Sequence, residues 1–100
     1  MNNCCVTLLC PPVDEEKLLD LLLMTAHAAI FTSAPTAAHG VSAGQLSASE
    51  QVLGRARATQ VQVLLSIQAK DELLATVREQ FKGAGVRYWV SPILEMGTVV

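Results

Sequence analysis

The sequence predicts an α+β fold, one antiparallel four-stranded sheet with two helices on one face, and three observations carry that expectation. Residues Ala58 to Ile67 alternate with period two, Thr59, Val61, Val63, Leu65 and Ile67 against Gln60, Gln62, Leu64 and Ser66, as a strand with two unlike faces requires. Two other stretches, Asp14 to Ala26 and Lys70 to Lys82, place leucines and valines at helical spacing. The order in which these patterns follow one another reads β, α, β, long connection, β, α, β, the split βαβ or ferredoxin-like arrangement.

The first strand is expected over Cys5 to Cys10, a run of strand formers stopped by Pro11-Pro12, and both of its faces are largely apolar. An apolar pattern on both faces implies that something covers each side of the sheet. The helix after it opens with Asp14, Glu15 and Glu16, acids that complement the positive end of the helix dipole, and continues with Leu18, Leu22 and Leu19, Leu23 as i,i+4 rows. A second strand is expected over Ala28 to Ala34, ended by Pro35.

From Pro35 to Arg57 the chain collects Pro, Gly, Ser, Thr and Ala without apolar periodicity, which marks one long connection. Within it Ser47-Ala-Ser-Glu50 has the spacing of a capping box, so one helical turn can form before Gly54. The second helix presents Leu73, Leu74, Val77 and Phe81 on one face and is stopped by Gly83-Ala-Gly85. A last strand, Val86 to Val90, precedes Pro92 and an apolar tail from Ile93 to Val100.

Composition limits the function classes. The 100 residues are 51% hydrophobic and 16% charged with a net charge of −2, and mean hydropathy is +0.39. A chain of that size folds as one domain, 1–100, and no basic field points to nucleic acid. No apolar run approaches the ~20 residues of a membrane-spanning helix, and no basic segment precedes an apolar core near the start, so the expected location is the cytoplasm without membrane insertion. With helices on one side only, the apolar surplus suggests self-association through the other face. The candidates for the uncovered positions are Val6, Leu8, Val61, Val63 and Leu65, or their opposite-face neighbours Leu9 and Leu64.

Cys4, Cys5 and Cys10 are odd in number and packed into one segment, which reads as reduced thiols and not as a disulfide framework. In a strand Cys4 and Cys5 point to opposite faces, so they would hold a soft metal ion only if the N-terminus were irregular. His27, after the first helix, suits a contact with that helix's last carbonyls. His39, beside Gly40 in the long connection, can reach a metal, a ligand or solvent. Gly54-Arg55-Ala-Arg57 sets two permanent positive charges at the base of the connection, suited to a small anion or simply solvated. Tyr88-Trp89 puts one aromatic on each face of the last strand, one for the core and one for a subunit boundary. No nucleophile and base pair, phosphate cradle or dinucleotide fingerprint occurs, so no catalytic residue is assigned and the protein is not read as an enzyme.

Phe31-Thr-Ser, His39-Gly40, Leu46-Ser with Glu50-Gln51-Val52, Gly54-Arg55, and Tyr88-Trp89-Val90 with Pro92 make nearly the whole chain resemble the PII-like superfamily of nitrogen regulatory PII and CutA-like proteins. Within it the chain is most similar to the uncharacterised PII-like family often encoded beside heavy-metal efflux pumps. The resemblance implies a homotrimer whose three sheets face inward, with ligands in clefts between subunits. Residues 35–57 would stand where PII proteins carry the T-loop that contacts a partner, here a membrane transporter or efflux pump. The implied ligand-binding residues are His39, Gly40, Arg55, Arg57, Lys82 and Arg87, with His39, Cys4 and Cys5 as metal candidates in the CutA-like alternative, a soft-metal tolerance protein without a signalling role. The short segment Lys82-Gly-Ala-Gly-Val-Arg87, where PII proteins have a glycine-rich basic loop, argues against ATP binding in the usual PII manner. A metal ion or a small anion is the expected ligand.

Overall fold

The computed structural model describes residues 2–25, 30–40 and 55–100. The first strand, β1 (Asn3–Cys10), leads through a 3-10 turn (Pro12–Asp14) into helix α1 (Glu15–Met24). Strands β2 (Ile30–Ala38) and β3 (Ala56–Ser66) follow, then helix α2 (Ile67–Gln80) and strand β4 (Arg87–Ile93). The sheet order is β2-β3-β1-β4 with every pairing antiparallel. This is the expected α+β ferredoxin-like arrangement.

Register divides the strand residues between two faces. Val6 pairs with Val63 and Val90, and Val63 with Phe31, so these share a face. That face carries the core: Cys4, Val6, Leu8, Cys10, Val61, Val63 and Leu65 are buried together with Leu18 and Leu22 of α1 and Leu73, Leu74 and Val77 of α2. Of the two leucine rows expected on α1, the Leu18–Leu22 row is buried, whereas Leu23 is 71% exposed. The opposite face carries Cys5, Thr7 and Leu9 of β1, Leu64 of β3, Ile30 of β2 and Trp89 of β4. Leu9 and Leu64 are half-buried, while Ile30 and Trp89 are 57% and 50% exposed. The uncovered apolar positions are therefore Leu9 and Leu64 and their neighbours, and the residues first paired with them as alternatives lie under the helices.

Three element boundaries differ from expectation for physical reasons. Strand β2 passes through Pro35 to Ala38, and β4 passes through Pro92 to Ile93. Both are edge strands, where a proline can sit because one side of the strand has no partner to receive its missing donor. The connection read as 35–57 accordingly shortens to 39–55. Helix α2 starts at Ile67, earlier than its apolar spacing indicates, because the Ser66 hydroxyl accepts the Ala69 N–H at 3.1 Å and caps it. The Ile67 N–H is satisfied by the Asn2 carbonyl at 3.1 Å. His27 and the capping-box spacing Ser47 to Glu50 lie outside the described residues.

Side-chain ties join the helices where the apolar core thins. The Lys17 ammonium donates to the Gln80 carbonyl at 2.8 Å and lies 4.7 Å from the Phe81 ring centre, linking α1 to the end of α2. Arg78 Nη2 donates to the Tyr88 hydroxyl at 2.6 Å with the guanidinium 5.4 Å from the ring centre, linking α2 to β4. Leu8, fully buried at the centre of β1, should be the most sensitive core position: Leu8→Ala is expected to cost about 2–5 kcal/mol, read as a lowered urea midpoint.

Candidate functional site

Antiparallel topology gathers four chain segments at one end of the sheet. Cys10 at the end of β1 pairs with Thr59 near the start of β3, Ala38 at the end of β2 pairs with Ala56, and Arg87 at the start of β4 pairs with Leu9. Between them opens a cleft of about 610 Å³. The β1–α1 connection supplies Pro11, Pro12 and Val13, the ends of β2 and β3 supply Ala38 and Ala56 to Ala58, and the α2–β4 turn supplies Gly83 to Gly85 before Arg87. Gly83 and Gly85 both have φ of 80°, a left-handed conformation that glycine adopts without steric cost, and this lets the chain reverse tightly beside the cleft.

The cleft's chemistry is one-sided. Its charged lining residues among those described are Arg57 and Arg87, no acid lines it, and the rest of the wall is apolar side chain or glycine backbone. Guanidinium groups stay charged at any physiological pH and present paired donors, so the surface matches an anion with an apolar body.

The residues expected from sequence converge here to different degrees. Arg57 and Arg87 line the cleft directly. His39 and Gly40 follow the lining residue Ala38, Arg55 precedes Ala56, and Lys82 precedes Gly83; all four are exposed. The metal candidates are not brought together: Cys4 is buried under the helices, Cys5 lies on the opposite face, and His39 sits beyond the end of β2. Among the described residues no group of three His, Cys, Asp or Glu side chains could hold a metal ion. Sequence reasoning missed the apolar wall from Leu9 to Val13, although Pro11-Pro12 directly after a strand was a visible signal for an exposed, rigid connection.

Next in sequence to the lining Ala58, the buried Thr59 hydroxyl donates to Glu15 Oε1 at 2.5 Å and pins the start of α1 to β3. Cys10, paired with Thr59, lies in the same region. Burial pushes its thiol up to about 11, with the negative charges of Asp14 and Glu15 acting in the same direction. The Cys4 thiol is raised as well, chiefly by burial, against an opposing effect from Lys70.

Two outcomes are expected. Since the thiolate is the reactive form, iodoacetamide at pH 8 should spare Cys4 and Cys10 of the folded protein and label both once it is unfolded in urea, which peptide mass mapping resolves. A thiol whose folded value is raised favours the folded state while neutral, so its contribution is complete below about 9 and is lost as pH climbs toward about 11. Stability from urea titrations should fall over that range, and the fall should be shallower in Cys10→Ala than in the unaltered chain.

The family model described as a protein of unknown function, DUF3240, matches residues 1–100. No curated protein matches the chain in sequence. A crystal structure of a DUF3240 family protein from Shewanella baltica superposes with a TM-score of 0.83 at 15% identity, covering 100% of this chain and 99% of that one. CPII, a nitrogen regulatory PII-like protein from Thiomonas intermedia bound to ADP, AMP and bicarbonate, gives 0.75 at 13% identity over 100% and 98%. The periplasmic divalent cation tolerance protein CutA from Archaeoglobus fulgidus gives 0.72 at 15% identity over 94% and 86%. The resemblance read from the residues is thus matched by the fold, and the chain belongs to the DUF3240 family, with the architecture shared by PII-like and CutA proteins.

Proposed function

We propose that this chain is a cytoplasmic, non-enzymatic PII-like regulatory protein that binds a small anionic ligand at clefts between the copies of a homotrimer and signals through the connection between β2 and β3. The observation that carries the reading is the cleft itself: two arginines, no acid among the described lining residues, and walls that include Ala38 and Ala56, the roots of that connection. A ligand drawn to Arg57 and Arg87 touches both ends of the 39–55 segment and is positioned to select among its conformations. His39, Gly40, Arg55 and Lys82 flank the same cleft and are assigned to the ligand as it closes. A membrane transporter or efflux pump is the proposed recipient of the signal. The likeness in fold to CPII, whose structure holds ADP, AMP and bicarbonate, supports the choice of anion as ligand class. The CutA-like alternative, metal binding at His39 with Cys4 or Cys5, requires ligands from more than one copy, because β1 sends its two neighbouring thiols to opposite faces.

Trimer formation is supported by the uncovered sheet face, where Leu9, Leu64, Ile30 and Trp89 form an apolar surface that helices do not reach. Native mass spectrometry should find three copies, and Leu64→Glu, which sets a charge in that face, should dissociate them; a monomeric unaltered chain would remove the premise.

Ligand binding is tested by calorimetry with ADP, bicarbonate and inorganic phosphate, combined with hydrogen exchange over residues 39–55. A charged hydrogen bond contributes about 1.5–3 kcal/mol, so Arg57→Ala or Arg87→Ala should weaken the binding probe by roughly 10- to 150-fold. Absence of binding by all three probes, with exchange over 39–55 unchanged, would overturn the anion reading.

A further inference from the structure

Helices α1 and α2 cover the sheet with one side of each, and their outer surfaces meet along a shallow groove of about 710 Å³. Apolar side chains that the core does not use line it: Val13 and Met24 are 87% and 86% exposed, and Leu21 is half-buried. Glu16, Asp20 and Met24 stand four residues apart and Leu21 adjoins Asp20, so acids and apolar side chains share one face of α1. Thr76 and Gln80 of α2 form the other bank.

From Asp14 to Thr25 the chain carries four acids and one base, against nine acids and seven bases in the whole chain, so its net negative charge is concentrated on α1. The base, Lys17, is committed to the Gln80 carbonyl and the Phe81 ring. Glu16 and Asp20 are exposed and have no hydrogen bond or ion pair among the described residues.

We propose that this groove is a docking site for a basic amphipathic helix of a partner protein, with lysines or arginines of that helix paired to Glu16 and Asp20 and its apolar side chains against Val13, Leu21 and Met24. Spacing and charge both select this occupant. Cations at i and i+4 of a helix stand about 6 Å apart along its axis, which is also the separation of Glu16 and Asp20, so a helix laid beside α1 meets both acids. About two turns of it span the steps from Glu16 to Met24, roughly 12 Å. The acids repel nucleic acid and anionic bilayers. The exposed apolar tail of a second copy, Leu94 to Val100, carries Glu95 and no base, so it is repelled as well. The groove and the uncovered apolar face lie on opposite sides of the sheet, so the two surfaces are separate. It shares Val13 with the cleft and neither of the cleft's arginines, so the proposal stands whether or not the cleft holds an anion.

The test uses the full chain and, as probe, a fluorescent synthetic peptide of two leucine–lysine heptads with p-benzoylphenylalanine at one leucine position; a counterpart carries glutamate in place of every lysine. By fluorescence anisotropy at 0.1 M salt the lysine peptide should bind and the glutamate peptide should not. After irradiation, peptide mass mapping should find cross-links on residues 13–25 or 76–80. Glu16→Lys combined with Asp20→Lys should weaken binding by about fivefold or more, and Met24→Glu by about tenfold or more; all three positions are exposed, so folding is not at stake. Asp71→Lys makes the same reversal of charge about 14 Å from Gln80 along α2, beyond the screening length, and should change affinity by less than about twofold. No binding of the lysine peptide, equal binding of the two peptides, cross-links on the sheet face around Leu64 and Trp89, or a loss from Asp71→Lys as large as that from the groove variants would each overturn the proposal. If sedimentation shows that Asp20→Lys alters the number of associated copies, the groove belongs to a second copy and the proposal is likewise overturned.

Discussion

A four-stranded sheet has two faces, and this chain has helices enough for one. Everything else follows from that shortage. Val6, Leu8, Val61, Val63 and Leu65 pack under α1 and α2, and they form the dry side of the molecule. The same strands must also present Leu9, Leu64 and Trp89 on the other side, because successive residues of a strand alternate between faces. The chain therefore covers one face of its sheet, and the polar ties Lys17 to Gln80, Arg78 to Tyr88 and Thr59 to Glu15 hold the helical side together while the sheet's other face looks outward.

The cleft is a product of connectivity before it is a product of residue type. Antiparallel pairing brings the end of β1, the end of β2 and the starts of β3 and β4 to one edge of the molecule, where connections and not strands make up the surface. Two of the positions delivered there are arginines, and the intervening wall is Leu9 and Val13 with proline, alanine and glycine, mostly small or rigid residues that leave space between elements. Thr59, next in sequence to the lining Ala58, holds Glu15, so β3 beside the cleft and the start of α1 are tied together. The cleft thus lies at the roots of the β2–β3 connection, beside Ala38 and Ala56.

The parts of this architecture that sequence revealed are those written in local spacing. The alternation over β3 and the helical rows Leu18–Leu22 and Leu73–Val77 are short-range patterns, and they gave the order of elements and the covered face. Strand ends were misread at Pro35 and Pro92 because proline stops a central strand but not an edge strand, and edge position is a property of the whole sheet. Ser66 continued the alternation of β3 and capped α2 at once, so its second role was hidden by its first. Arg57 and Arg87 were legible as charges, whereas the wall from Leu9 to Val13 depends on convergence of segments far apart in sequence, which no local pattern encodes.

The two edge prolines have a consequence for how copies of this chain meet. Each outer edge of an open sheet displays a row of backbone donors and acceptors that another strand can join, and joining edge to edge can repeat without limit. Pro35 removes a donor from one outer strand and Pro92 from the other, so lateral growth into fibres is interrupted on both flanks. The broad apolar face around Leu9 and Leu64 carries no such interruption. The same residues that obscure the ends of the strands thus act against open-ended growth along the sheet.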